Sequence, residues 1–331
     1  MDLSQFDYEL PEELIAQQPL AERDGARMLV IDRAAGTWQD RQFRELPAFV
    51  GPGDVMVFNN SRVFKSRLFG HRAGHTGRVE IFLAERMGDS WRALVRPGRK
   101  LPPGTVVEFG PDFRAVIEDR LEHGERRVRL EAPDEWAAIE AYGHVPLPPY
   151  IHRGDEASDR ERYQTVYAKE AGSVAAPTAG LHFTPDVLAR CDAAGAERVE
   201  VTLHVGLGTF QPLHSTVVEE NQLHFERYRV APEAAARIAA ARRVVAVGTT
   251  AVRTIESAAK LGPEGQTNLF IYPGYTFARV NAMVTNFHLP QSSLLLLVSA
   301  FAGRELMLDA YRHAVREKYR FFSYGDCMLI L

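Results

Sequence analysis

The chain has 331 residues, 46% of them hydrophobic and 25% charged, which is the composition of an ordinary globular protein long enough for about two domains. Cys191 and Cys327 are its only cysteines and show no C-x-x-C spacing, so a disulfide scaffold is not indicated and a reducing, cytoplasmic setting is expected. The net charge is −4, yet residues 61–130 hold 15 Lys and Arg against 9 Asp and Glu, leaving the remainder acidic. A basic block on an acidic protein suggests a polyanion-facing patch, although a solvated β surface has the same composition.

In chain order, MDLSQFDYELPEEL is acidic and has no apolar core of a signal peptide. Pro11 opens a predicted helix over residues 11–18 that Pro19 closes. Residues 28–31 and 55–58 are apolar runs short enough for strands, and the second leaves its sheet through Asn59-Asn60-Ser61-Arg62. Residues 64–130 then alternate with period two between Gly, Pro and Asp turns, predicting an inserted antiparallel sheet or small barrel with a basic turn at Arg96, Arg99 and Lys100. A helix over residues 134–142 stops at Gly143, and Pro146-Leu-Pro-Pro-Tyr150 is a stiff connector. Asp159 is positioned to cap a helix with Arg162, Tyr163, Thr165 and Tyr167 that ends at Gly172.

Strand-like runs follow at 199–203, 244–247, 269–272, 283–285 and 328–331, alternating with helical patterns at 185–194, 232–241, 251–261, 292–302 and 305–318. This alternation predicts a mostly parallel sheet with covering helices. The longest apolar run, residues 294–302, is about half the length a membrane span needs.

In such folds the carboxyl ends of parallel strands share one edge, where ligand sites form. The residues at those ends are His204 with Thr209 and Gln211, Gly248 with Thr249, Thr250 and Arg253, Tyr275, and Asn286 with His288. Before them lies Gly172–Asp186, GSVAAPTAGLHFTPD, made of small residues around Ser173, Thr178 and His182. Thr184-Pro185-Asp186 reads as a helix start, so the segment reads as a βα connection with His182 aimed at a guest; a tight, well-packed loop fits the same residues. Gly206-Leu-Gly208 begins like a dinucleotide fingerprint but reaches Gln211 and Pro212 where Gly and a helix are required. His204, His214 and His224 recur every ten residues, which is no metal-ligand spacing, and no nucleophile elbow or P-loop is present. Residues alone therefore reach a cytoplasmic α/β enzyme with a polar cleft and a mildly basic β insertion, and leave the reaction open.

The segments FDYELPEELIAQQP, DVMVFNNSRVFKSRLFG, LPPYI, ERYQTVYA, GSVAAPTAGLHFT, VTLHVGLGTFQP, VAVGTTAVRTIES, VTNFHLPQSSLLLLVSAFAG and KYRFFSYGD together resemble the S-adenosylmethionine:tRNA ribosyltransferase-isomerase family of queuosine biosynthesis. The resemblance covers essentially the whole chain. It implies a large mixed, barrel-like α/β domain formed by residues 1–62 and 150–331, with an antiparallel β-barrel inserted at 63–149. It implies transfer and isomerisation of the ribosyl part of S-adenosylmethionine onto 7-aminomethyl-7-deazaguanine in tRNA, giving epoxyqueuosine and releasing adenine and methionine. The donor is consumed, so neither cofactor nor metal is implied. His182, His204 and His288 are expected to supply acid and base groups. Asn59, Asn60, Arg62, Arg67, Tyr150, Tyr163, Thr178, Thr209, Gln211, Thr249, Thr250, Arg253, Asn286 and Tyr324 are expected to bind donor and tRNA, with phosphate contacts assigned to Arg62, Arg67, Arg96, Arg99 and Lys100. The sequence departs from the family pattern at Ser61 and Ser293, usually Thr, at Ala251, usually Ser, and at Asn221, usually His, whereas His224 and Glu226 match. A non-catalytic tRNA-binding module on the same fold is the competing reading, and a metal-dependent hydrolase the third.

Overall fold

The computed structural model describes residues 1–210 and 212–331. Its strands, in chain order, are β1 (Arg27–Asp32), β2 (Thr37–Gln42), β3 (Asp54–Asn59), β4 (Ser61–Val63), β5 (Arg67–Arg72), β6 (Arg78–Met87), β7 (Ser90–Arg96), β8 (Val106–Gly110), β9 (Phe113–Arg120), β10 (Arg126–Glu131), β11 (Glu170–Ser173), β12 (Glu197–Leu203), β13 (Glu226–Arg229), β14 (Arg243–Val247), β15 (Glu264–Thr267), β16 (Ala282–Asn286) and β17 (Cys327–Ile330). The α-helices are α1 (Glu135–Tyr142), α2 (Asp159–Arg162), α3 (Pro185–Ala193), α4 (Pro232–Ala240), α5 (Thr249–Leu261), α6 (Ser293–Ala302) and α7 (Arg304–Arg316).

Both ends of the chain contribute to a nine-stranded sheet, ordered β15-β13-β12-β3-β14-β16-β17-β1-β2 and open at its edges. The central strands are apolar runs buried on both faces. In β3, Val55 and Val57 enter the core beneath α5 and α6, while Met56 and Phe58 enter the second core beneath α3. β12, β3, β14 and β16 are mutually parallel. β17 and β1 are parallel to each other but run against β16. The sheet is thus mixed rather than mostly parallel. One crossover helix returns the chain to the start of a strand, but α6 and α7 pack on each other as a pair and return it to the end, so β17 runs backwards.

Strands β5 to β10 close an antiparallel barrel in the order β10-β7-β6-β5-β8-β9. Leu68, Ile81, Leu83, Trp91, Val107, Ile117 and Val128 fill it. Val174 and Leu207, which lie outside these strands, complete the same core. Arg227 of β13 donates to Glu85 of β6 at 2.8 Å, and β11 pairs with β4 in parallel, so the barrel is tied to the loops leaving β11 and β12.

Three predicted elements are corrected. Residues 11–18 form no helix beyond the 3₁₀ turn Glu12–Leu14, because Ile15 bridges Phe321 and Phe321 N donates to Leu14 O at 2.8 Å. The helix from Asp159 lasts only to Arg162; Lys169 N and Glu170 N turn instead to Asn60 O, and Glu170–Ser173 becomes β11. The apolar run 269–272 forms no strand. Ile271 plugs the core, and the antiparallel edge is built by the polar β15 just before it, since an edge ladder needs backbone and not apolar faces. Among the described residues no helix is long and apolar enough to cross a membrane.

Candidate active site at the sheet edge

Register brings the predicted strand ends together. Val201 lies beside Asn59, Val247 beside Phe58 and Val284, and Asn286 opposite Cys327. The ends of β12, β3, β14 and β16 therefore share one edge with the start of β17. Gly172–Asp186 lies across it as a βα connection: β11, a 3₁₀ turn over Thr178–His182, then α3, whose Thr184 Oγ1 accepts from Val187 N at 3.2 Å. The small residues of this connection allow close approach. A Cβ at Gly180 would stand 2.0 Å from the Tyr167 hydroxyl, and one at Gly172, whose φ is +143°, would stand 2.8 Å from His204 Nδ1.

His182 is only 4% exposed and packs against Phe43, the ring centroids 5.2 Å apart and the planes tilted by 39°. Burial pushes its pKa down to about 4; the adjacent Asn286 opposes that shift, and the charges of Arg23 and Arg320 add to it. The ring is neutral at pH 7, and Nε2 has no hydrogen-bond partner. His204 sits at the exit of β12 with Nδ1 likewise unpartnered; burial, then Arg227, lowers its pKa. His288 is placed differently. It is enclosed, Nε2 lies 3.0 Å from Thr285 Oγ1, its N–H donates to Tyr311 and its carbonyl accepts from Tyr8. Burial pushes its pKa down to about 3.

Other buried polar atoms at this edge also lack partners: Ser61 Oγ, Tyr163 Oη, Thr165 Oγ1, Tyr167 Oη, Thr250 Oγ1 and Asn286 Oδ1. Burying a polar atom without a partner costs about 1–3 kcal/mol, so the atoms gathered at this edge are the ones open to a ligand or to water. Asn286 Nδ2 is spent on Phe322 O, which aims Oδ1. Tyr324 donates to the buried carboxylate of Asp159 at 2.7 Å and packs edge-on against Tyr163. Asp159 is held by both terminal nitrogens of Arg153 and by Glu156 N. Tyr150 meets Ser323 Oγ at 2.6 Å, and burial pushes its pKa up to about 12.

Several predicted binding residues are engaged internally. Asn59 bonds Leu203 N and O and Ser61 N; Asn60 bonds Glu200 and Thr202, so both stitch β3 to β12. Arg253 forms a buried ion pair with Glu226 and donates to Leu269 O at 3.1 Å; Nη2 is left unpartnered. Glu226 also accepts from Gly206 N at 3.0 Å, bridging α5, β13 and the loop after β12. Thr249 and Thr250 are not the caps of α5. Gly248 takes that position at φ +89°, which frees the hydroxyl of Thr250. Thr178 opens the 3₁₀ turn, half-buried. Arg67 reaches Glu80 at 3.2 Å, whereas Arg62, Arg96, Arg99 and Lys100 are exposed and, among the described residues, form no ion pair. Gln211 and the side chain of Thr209 lie outside the described residues.

The departures at 221 and 251 have structural explanations. Asn221 accepts from His214 N and Ser215 N and donates to Ser215 O and Val217 O, a bracket that needs an amide. Ala251 is fully buried in the core beneath α5. Glu226, Asp159 and Tyr167 were not among the predicted site residues. Asp159 carried a signal that read as a helix cap, and Glu226 carried none beyond its match to the family pattern. Among the described residues no three His, Cys, Asp or Glu side chains converge. A separate groove of about 800 Å³ lies between α3, α4 and the open flank of β12; Phe58 and Tyr167 reach it, but none of the three histidines does.

Fold and site define an α/β enzyme with an inserted closed barrel and a sheet edge lined by uncharged, buried imidazole and hydroxyl groups. The chain belongs to the family described as "Queuosine biosynthesis protein", whose model matches residues 3–330. It is 59% identical to the S-adenosylmethionine:tRNA ribosyltransferase-isomerase of Solibacter usitatus and 50% identical to that of Moorella thermoacetica, with all of both chains covered in each case. The crystal structure of S-adenosylmethionine tRNA ribosyltransferase from Thermotoga maritima superposes with a TM-score of 0.57 at 38% identity, covering 99% of this chain and 100% of that one.

Proposed function

We propose that this chain transfers and isomerises the ribosyl moiety of S-adenosylmethionine onto 7-aminomethyl-7-deazaguanine in tRNA, giving epoxyqueuosine-tRNA with release of adenine and methionine. The donor is consumed and no resident cofactor or metal takes part. Family membership supports the reaction, and the orphaned buried polar atoms at the sheet edge support its location.

The sulfonium acidifies the adjacent ribose C5′–H, and a base must take that proton. His182 is suited to this role, because its ring is neutral at pH 7 and Nε2 is open. A second proton must reach the leaving adenine, and His204, less buried and across Gly172, is assigned to it. His288, locked between Thr285, Tyr8 and Tyr311, holds the loop after β16 so that Asn286 Oδ1 faces the cleft. Tyr163, Thr178, Thr250 and Asn286 supply hydrogen bonds to ribose hydroxyls, and burial excludes water from reactive intermediates. Arg253 acts with Glu226 as a pair. The exposed Arg62, Arg96, Arg99 and Lys100 meet tRNA phosphates, with residues 63–149 acting as one unit and residues 1–62 and 150–331 as the other. Substrate class, buried free thiols and the absence of a long apolar helix among the described residues support a cytoplasmic setting.

Incubating the protein with S-adenosylmethionine and tRNA carrying the aminomethyl base should release adenine and methionine in equal amounts. Formation of S-adenosylhomocysteine and methylated RNA instead would refute the assignment, and binding without any adenine release would favour the tRNA-binding module.

A further inference from the structure

His182 has a second neighbourhood, which Asn286 does not line. A narrow crevice of about 20 Å³, open to solvent, lies there, lined by Leu20, Glu22, Arg23, Arg162, His182 and Tyr324. Arg320 stands close by, since its charge and that of Arg23 both act on His182. These three half-buried guanidinium groups share one kind of partner. Arg23 donates to Gln164 O, Leu181 O and Glu161 O. Arg162 donates to Ala21 O and Leu20 O, and Arg320 to Gln18 O. Every one of these acceptors is a backbone carbonyl, and among the described residues none of the three forms an ion pair.

Of the carboxylates nearby, Glu161 acts on Arg23 through space without forming an ion pair with it, and two others have partners of their own. Glu22 reaches out to Arg44 at 3.1 Å. Asp326 accepts from Arg27 N and Arg320 N at 2.8 Å each. Two donor atoms remain buried and unpartnered, Arg162 Nε and Arg320 Nη1. Burial, and then the charge of Arg162, hold Arg23 below its ordinary pKa, with Tyr324 and Glu161 opposing the shift in part. Arg153 and Arg243 are instead paired, with Asp159 and Asp54, while Arg33 and Arg126 also donate only to backbone carbonyls but stand singly.

From this geometry we propose that Arg23, Arg162 and Arg320 form an oxyanion-binding site over the outer face of His182. The site takes a singly charged oxyanion of the substrates. Two sources share that chemistry: a backbone phosphodiester of the RNA, or the carboxylate at the amino-acid end of the donor. The inference rests in part on the proposed reaction, because it draws its ligand from that reaction's substrates. Burial is the main reason His182 is uncharged, and an anion here offsets the smaller contribution of Arg23 and Arg320, so filling the site makes that ring a somewhat better base once substrate is bound.

Two measurements test the site. The first uses the wild-type chain and inorganic phosphate, with chloride at matched ionic strength as control. The imidazole NMR signal of His182, assigned by its loss in His182→Gln, should move on phosphate addition and not with chloride. This readout does not depend on turnover, so it decides the site even if the proposed reaction fails. The second uses Arg162→Gln and Arg320→Gln singly in the full chain. A phosphodiester source raises KM for an anticodon stem-loop about tenfold, lowers the slope of log affinity against log salt by about one, and leaves KM for the donor unchanged. A carboxylate source raises KM for the donor about tenfold, and the variants then discriminate no longer between the donor and its decarboxylated analogue. An immobile His182 signal, together with both KM values unchanged, overturns the proposal and leaves the arginines as latches on the N-terminal segment.

Discussion

The barrel and the sheet edge treat their polar groups in opposite ways. On the barrel, charge is dense but spent locally: Arg129 bridges Glu118 and Glu131, Arg92 lies between Glu85 and Glu125, Arg86 pairs with Glu135 and Arg67 with Glu80. At the sheet edge, imidazole, hydroxyl and amide atoms are buried with no partner. Solvated ion pairs are worth little and satisfy each other, whereas a buried orphan atom is costly until a ligand arrives. The difference shows why the basic excess of residues 61–130 was a weak guide to the site, and why the edge with its orphaned neutral atoms is the stronger one. Cationic reach remains on the barrel where arginines and lysines are exposed and unpaired among the described residues, including the turn holding Arg96, Arg99 and Lys100, and next to it at Arg62.

That contrast can be broken at either end. The largest effect is expected at the edge: His182→Gln should slow adenine release by about 10²–10⁴-fold, as loss of an acid/base group does, with the melting temperature little changed. Wild-type turnover in that variant would remove His182 from the chemistry. Next comes the buried pair. Glu226→Gln leaves Arg253 charged and unpaired inside the protein and should cost about 3–5 kcal/mol in urea unfolding. The solvated barrel pair is the control, and Glu131→Gln should cost about 1 kcal/mol or less. Equal costs would erase the contrast between the two regions.

Acid should act through the edge rather than the barrel. His182 and His288 have folded pKa values near 4 and 3, below the ordinary 6.5, so below about pH 6.5 the unfolded chain binds protons that the folded chain refuses. Stability should be flat with respect to these rings above that pH. It should then fall by up to about 1.4 kcal/mol per pH unit per ring as the pH drops towards 4. His288→Asn should flatten that acid limb, which urea titrations at pH 7, 6 and 5 would read. The smallest effect belongs to the barrel turn. Neutralising Arg96, Arg99 and Lys100 should reduce the salt slope of tRNA binding by about two to three and leave donor binding unchanged; an unaltered slope would take the turn out of the RNA interface.

What could be read from residues alone follows the same division. The apolar runs of β3, β14, β16 and β17 and the alternating barrel strands are local patterns, and local patterns survive into the fold. The βα connection over Gly172–Asp186 was legible because Thr184 and Pro185 mark a helix start by themselves. Elements decided by distant partners were not legible. Ile15 is drawn out by Phe321, and Glu170 by Asn60, with no trace in the neighbouring sequence. The reversed β17 depends on two helices packing as a pair. Of the site, the residues at strand exits were visible by type and position, but their condition was not. Arg253 is tied to Glu226 across 27 residues, and Asn59 and Asn60 are bound to β12, because pairing is a property of the packed chain.

The fate of the donor tests the central claim most directly. S-adenosylmethionine labelled in the ribose, and separately in the methyl group, should be incubated with the protein and tRNA bearing 7-aminomethyl-7-deazaguanine, and the nucleosides analysed by mass. The ribose label should enter the RNA with the mass of epoxyqueuosine, while the methyl label leaves in methionine. Methyl label in the RNA, or no label from either donor, would contradict the account.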